Sequence, residues 1–236
     1  MKVLAIVKKE LQTYFFSPVA YIIFAAFSLV IGFLFWLILM STHLASMKET
    51  LFNCAFVLLL ASPVLTMRLI SEEKRSNTME LLLTSPISAA EIIIGKFLAC
   101  FFVYLLLMGV TLQYALILSS YCPTLDWGPI TSGYIGLILL GASFISFGLF
   151  ASTVTENQMI AAMISFGGLL TFWLIGWSKH ALENTMGEFF SKLSLLERYW
   201  EFPNGMVDSG NIIFFVTFSL IWLFLATRVL ESDRWR

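Results

Sequence analysis

Charge is scarce in this chain: Asp, Glu, Lys and Arg make up 12% of its 236 residues, while 59% are hydrophobic, 23 of them phenylalanine. So little polar surface cannot cover a water-facing globule of this size, which places the chain in a bilayer. The net charge of −1 excludes a nucleic-acid binder, which needs a basic face. Histidine is nearly missing. His43 and His180 alone leave neither a HExxH metal motif nor a nucleophile backed by a histidine inside the membrane. Glu72-Glu73 begins an EExxxR intramembrane-protease signature, but Asn77 stands where arginine is required. A GxxxxGK[ST] phosphate loop is also lacking, because Gly95-Lys96 is followed by Phe97 and preceded five residues earlier by Ala90. If ATP drives this protein, another chain binds it. The three cysteines have no metal spacing. Cys54 and Cys122 fall near the same ends of their apolar runs, where a disulfide is conceivable, though apolar filler is the preferred reading.

What the chain has is long apolar runs. Val19 to Met40, Leu51 to Met67, Phe97 to Ser120, Ile130 to Thr153, Met159 to Trp177 and Ile212 to Leu230 each approach or reach the ~20 residues that cross a hydrocarbon core. Continuous runs rule out a β-barrel, whose strands alternate. The first run is too long for a cleaved signal peptide and no A-x-A site follows it. The fold class expected is therefore an all-α membrane protein with six transmembrane helices, a single domain over 1–236. Six spans put both ends on one side. That side would hold Lys2, Lys8, Lys9, Arg68, Lys74, Arg75, Lys96, Arg228, Arg234 and Arg236, the other only Lys48, Lys179, Lys192 and Arg198, so both termini are expected in the cytoplasm. None of the six runs carries an ionisable residue near its centre, which disfavours an ion-coupled carrier.

Two amphipathic stretches flank the spans. In residues 1–17, Leu4, Val7, Leu11, Tyr14 and Phe15 recur at helical spacing opposite Lys2, Lys9 and Thr13, ahead of Ser17-Pro18. This predicts a helix in the cytoplasmic interface; a plain extension of the first span is the alternative. In residues 178–210, Thr185 to Glu188 has the form of a capping box, and Met186, Phe189, Phe190, Leu193, Leu196 and Trp200 mark an apolar stripe before Pro203-Asn204-Gly205 turns the chain. The stretch is too short and too charged to span. It either dips into the outer leaflet or lies as a lid on the bundle.

The charges gather in LISEEKRSNTMELLLTSPISAAEIIIGK, residues 69–96. Asn77 with Glu80 suggests a cap and third-position acid, Thr78 to Thr84 makes a helix of barely two turns before Ser85-Pro86, and Ser88 with Glu91 is a second capping box. A helix of about seven residues does not persist in water. Met79, Leu82 and Leu83 fall at i, i+3 and i+4, an apolar face that a partner could cover or that could tuck against the protein's own helices.

These segments resemble the permease subunits of type-two ATP-binding-cassette exporters. KKELQTYFFSP, EEKRSNTMELLLTSPISAAEIIIGKFLA and the ending LSLLERYWEFPNGMVDSGNIIFFVTFSLIWLFLATRVLESDRW carry the similarity over nearly the whole chain. It is greatest to the gliding-motility (GldF-like) branch, with a departure at Arg198-Tyr199-Trp200-Glu201. The resemblance implies an interfacial N-terminal helix, a coupling helix in the first cytoplasmic loop seated in a separate cytoplasmic ATPase, and short re-entrant helices between spans five and six. By position, residues 71–86 become the coupling segment, with Thr78, Met79, Glu80, Leu82 and Leu83 in its helix and Glu72, Glu73, Lys74 and Arg75 as its charged approach. It further implies a bacterial inner membrane, a second permease subunit (a like or related chain), ATP and Mg held by the ATPase with no cofactor on this chain, and an envelope accessory protein as a further partner. Transport is one function consistent with this, and a non-transporting scaffold that energises an envelope machine is the other. Ser132 with Gly136, and Gly148 with Ser152, offer small-xxx-small contacts either between subunits or within one.

Overall fold

A computed structural model of the chain describes residues 2–42, 46–79, 87–121, 126–177 and 192–233. Among these residues the fold is wholly helical. In chain order, α1 is Lys2–Phe16, α2 Pro18–Thr42, α3 Lys48–Thr66, α4 Ser71–Arg75, α5 Ala89–Tyr121, α6 Trp127–Val154 and α7 Gln158–Leu174; α8 is Leu195–Trp200 and α9 Ser209–Asp233. Five stretches of the described residues are long and apolar enough to cross a membrane: Ala20–Ser41, Lys48–Arg75, Ala89–Tyr121, Trp127–Val154 and Ser209–Asp233. The remaining run is shorter, since α7 has 17 residues and continues as a 3-10 turn over Ile175–Trp177.

Local chemistry sets the helix ends. Ser88 and Glu91 form the expected capping box, with the Ser88 amide donating to Glu91 Oε2 at 2.9 Å and the Glu91 amide donating to Ser88 Oγ at 3.2 Å. Asp126 caps α6 through the Gly128 amide, and Asn157 caps α7 through the Met159 amide, both at 2.9 Å. Pro63 lies inside α3 and leaves the Leu59 carbonyl without its amide donor. The Ser62 hydroxyl supplies a donor to that oxygen at 3.2 Å, so the helix passes the proline with its backbone satisfied.

α6 is the central post. It packs on α3, α5, α7 and α9, and small residues let its neighbours come close. A methyl on Gly148 would collide with Thr66, and one on Gly136 would meet Phe202 Cβ and Cγ at 2.7 Å. Ser152 Oγ accepts from the amides of Ile70 and Ser71 at 3.1 and 3.0 Å, and Ser132 Oγ donates to the Phe202 carbonyl at 2.7 Å. Both small-xxx-small pairs are thus consumed within the subunit. They carry no information about a dimer interface.

The chain breaks at Ser17, and Pro18 opens α2, the position where its missing amide costs nothing. α1 therefore does not extend the first span; it folds back chiefly onto α5. Only part of its apolar stripe packs on the bundle. Ile6 and Glu10 are buried, with Leu11 and Tyr14 partly so, whereas Leu4, Phe15 and Phe16 are exposed. Gly95 permits this crossing, because a side chain there would press on Ile6 Cγ2 at 2.8 Å.

The segment before α9 also differs from expectation. A single helix through Thr185 to Glu201 is not what forms: Ser194 is extended (φ −71°, ψ 123°) and starts α8, its hydroxyl accepting from the Glu197 amide at 3.3 Å. The Ser194/Glu197 spacing is a local capping signal stronger than the continuing apolar stripe. Thr185, Met186, Phe189 and Phe190 lie outside the described residues. Of the rest of the stripe, Leu193 and Leu196 are half-buried and Trp200 is exposed, while Leu195, Tyr199 and Phe202 are the side chains that point into the bundle. The described part is a lid. Tyr199 donates to the Leu51 carbonyl at 3.0 Å, and burial pushes its hydroxyl pKa well above the ordinary range, so it stays a donor. Phe202–Asn204 then turns with Pro203 in its first positions and Gly205 at φ +82°, as the sequence predicted. Arg198 donates to Asn211 Oδ1 at 2.9 Å and lies 4.1 Å from the Phe214 ring centre, and Asn211 donates to Glu201 at 2.5 Å. Arg198 and Glu201 thus pin the lid to α9, while Tyr199 and Trp200 hold it to α3.

Candidate coupling site at one end of the bundle

The charged approach to the expected coupling helix is itself a helix. After Thr66 the chain makes one turn, latched by Ser152, and residues Ser71–Arg75 form α4. α4 closes with a Schellman motif: the Thr78 amide donates to the Glu73 carbonyl at 3.1 Å and the Asn77 amide to the Lys74 carbonyl at 3.2 Å, with Asn77 at φ +56°. Asn77 is thus the left-handed stop of α4, not the N-cap of the next helix as its spacing to Glu80 suggested. Asn tolerates that backbone region better than other non-glycine residues.

Glu73 and Lys74 face inward. Lys74 Nζ donates to the Thr153 carbonyl at 2.6 Å and to Asp233 Oδ2 at 2.5 Å, joining α4 to the ends of α6 and α9. Glu73 lies 3.2 Å from Lys9 and 2.9 Å from Lys96, and Lys96 donates to Glu10 Oε1 at 2.8 Å. The Lys96 side chain is 1% exposed. A lone ammonium at that depth would cost several kcal/mol to desolvate. Two carboxylates against two ammonium groups make the cluster neutral as a whole. It binds α1, α4 and α5 at one point.

The other expected coupling residues divide. Glu72 and Arg75 are exposed, and Thr78 is exposed with its hydroxyl 2.9 Å from that of Ser76. Met79 is not offered to a partner; it is buried in the protein's own core. Glu80, Leu82 and Leu83 lie outside the described residues. Glu10, Lys9, Lys96, Ser152 and Asp233 were not foreseen as parts of this site. Glu10 carried a signal: an acid inside an otherwise apolar face, between Ile6 and Tyr14.

A solvent-reaching cavity of ≈ 410 Å³ opens between α1, the ends of α2 and α3, and α4. Tyr14 forms part of its wall and donates to the Leu65 carbonyl at 2.7 Å. Burial, with Cys100 and Glu10 nearby, pushes that phenol well above its usual pKa, so the bond holds across the physiological range. Cys54 and Cys100 are buried free thiols. Among the described residues Cys54 has no disulfide partner, and Cys122 lies outside them.

The sequence model of the family described as ABC-2 family transporter protein matches residues 4–195. That match covers most of the chain, from the first turn of α1 to the start of α8. No curated protein matches the chain. The class defined by the apolar helices is a multi-pass membrane protein. Within it, the chain belongs to the ABC-2 transporter family, whose members are the permease, membrane-embedded components of ATP-binding-cassette transporters.

Proposed function

We propose that this protein is the six-span permease subunit of an exporter, works as a dimer in a bacterial inner membrane, and is driven by a separate cytoplasmic ATPase that holds ATP and Mg. α7 with its 3-10 extension is the fifth span on this reading. At roughly 1.5 Å per residue the 20 residues of 158–177 reach about 30 Å, the thickness of the hydrocarbon core. Residues 71–86 are the coupling segment. The observation that carries this is α4: a five-residue helix fixed by ion pairs or hydrogen bonds to α1, α5, α6 and α9. A push delivered there reaches four helices through short polar contacts, which is what a joint with a motor subunit requires. Within the family we place the chain beside the gliding-motility branch, on the segments quoted above.

The expected result for the isolated chain is no ATP hydrolysis, and for complexes taken from native membranes, an ATPase that co-purifies and restores it. Turnover by the chain free of other proteins, or complexes lacking any ATPase, would overturn the reading. The orientation has its own check. A cysteine at Ser191, in a chain whose native cysteines are removed, should react with an impermeant thiol reagent in intact cells; labelling only after lysis reverses the topology.

A further inference from the structure

The cavity beside α4 grades from apolar to polar along two chain segments. From Ile23 through Ala20 to Ser17 at the hinge before α2 its wall passes from apolar to polar, and from Val64 in α3 through Arg68 to Glu72 in α4 it passes from apolar to charged. Four of its charges are already spent, since Lys9, Glu73, Lys96 and Glu10 satisfy one another. Arg68 and Glu72 remain, both exposed and with no ion pair or side-chain hydrogen bond among the described residues. One uncommitted cation and one uncommitted anion stand at the polar rim of an apolar cleft.

We propose that this cavity holds the headgroup of a zwitterionic ethanolamine phospholipid, its phosphate on Arg68, its ammonium on Glu72, and its acyl chains leaving past Val64 and Ile23 into the bilayer. A guanidinium matches phosphate with paired donors. A primary ammonium donates to a carboxylate and to the nearby hydroxyl of Ser76, which a trimethylated head cannot do. Choline recognition needs an aromatic cage, and among the described residues Tyr14 is the single aromatic one in this wall. A glycerol headgroup can donate its hydroxyls to Glu72 but brings no cation to neutralise the carboxylate, so the ethanolamine head is favoured by the charge-assisted bond. The volume suits a headgroup and not a whole lipid. The site is independent of whether α4 contacts an ATPase.

Native mass spectrometry of the full chain in detergent, offered equal amounts of phosphatidylethanolamine, phosphatidylcholine and phosphatidylglycerol with the same acyl chains, tests this. The ethanolamine lipid should be retained about tenfold over either competitor, the value of one charge-assisted hydrogen bond. Arg68→Ala should lower its retention by a similar factor, and Glu72→Gln should bring it down to the choline lipid's level. Equal retention of all three lipids by the unaltered protein, or preference for the glycerol lipid, overturns the proposal without reference to any variant. So does unchanged retention in Arg68→Ala. Displacement by soluble glycerophosphoethanolamine as readily as by the lipid would make the site one for free phosphate esters and also overturn it.

Discussion

Lys96→Met is expected to destabilise the folded protein by about 3–5 kcal/mol, the cost of removing one partner from a buried ion pair. Methionine keeps much of the lysine's shape, so packing changes little. The charge is what goes. Glu10 then keeps a nearly buried carboxylate whose hydrogen-bond donor among the described residues was Lys96 Nζ at 2.8 Å. Glu73 suffers less, because Lys9 still stands 3.2 Å away. A second substitution separates charge from packing: Lys96→Met with Glu10→Met removes both unpaired groups and should recover most of the loss. Denaturant unfolding of the purified chain in micelles measures both. A single variant within about 1 kcal/mol of the parent, or a double variant worse than the single, would show that the cluster does not hold α1 and α4 to α5.

Sequence revealed the ends of elements better than their faces. Ser88 with Glu91, and Pro203 with Gly205, act through groups two or three residues apart, so their chemistry is complete in a short string. Faces are different in a membrane protein. Lipid and core are equally apolar, so a stripe such as Leu4, Val7, Leu11 and Phe15 marks a helix without saying which side meets protein. α1 buries Ile6 and Glu10 instead, and α8 buries Leu195 and Tyr199 while Trp200 stays exposed against Phe52, ring centres 4.8 Å apart. Asn77 was misread for another reason. The same short side chain that caps a helix start also tolerates the left-handed backbone that ends one, and only the preceding turn, Ser71–Arg75, decides between them. The ion cluster was the least legible part. Glu10 and Lys96 are 86 positions apart, and nothing in either neighbourhood names the other.

Replacing Leu82 and Leu83 together with aspartate should give an inserted, folded protein that no longer retains its ATPase. Both residues fall within the proposed coupling segment, between the end of α4 and Pro86. Each leucine contributes on the order of 1.5–3 kcal/mol when buried instead of left in water, and two carboxylates placed in a protein groove would add a desolvation penalty to that loss. The loss therefore exceeds a factor of a hundred in affinity by roughly 1.4 kcal/mol per tenfold. Met79 is no longer part of the proposed contact, since it is buried in the permease core, and the proposed interface rests on Leu82, Leu83 and the exposed Arg75. Glu80→Ala should do far less. Asn77 closes α4 and does not cap a following helix, so no Asn77–Glu80 capping box is lost, and a rim charge is worth about 0–1 kcal/mol. Affinity purification of the permease with its ATPase, quantified against the permease band, reads both variants. Undiminished ATPase recovery with the double aspartate would place the motor contact elsewhere, whereas loss with Glu80→Ala as complete as with the double variant would make the contact electrostatic and not apolar.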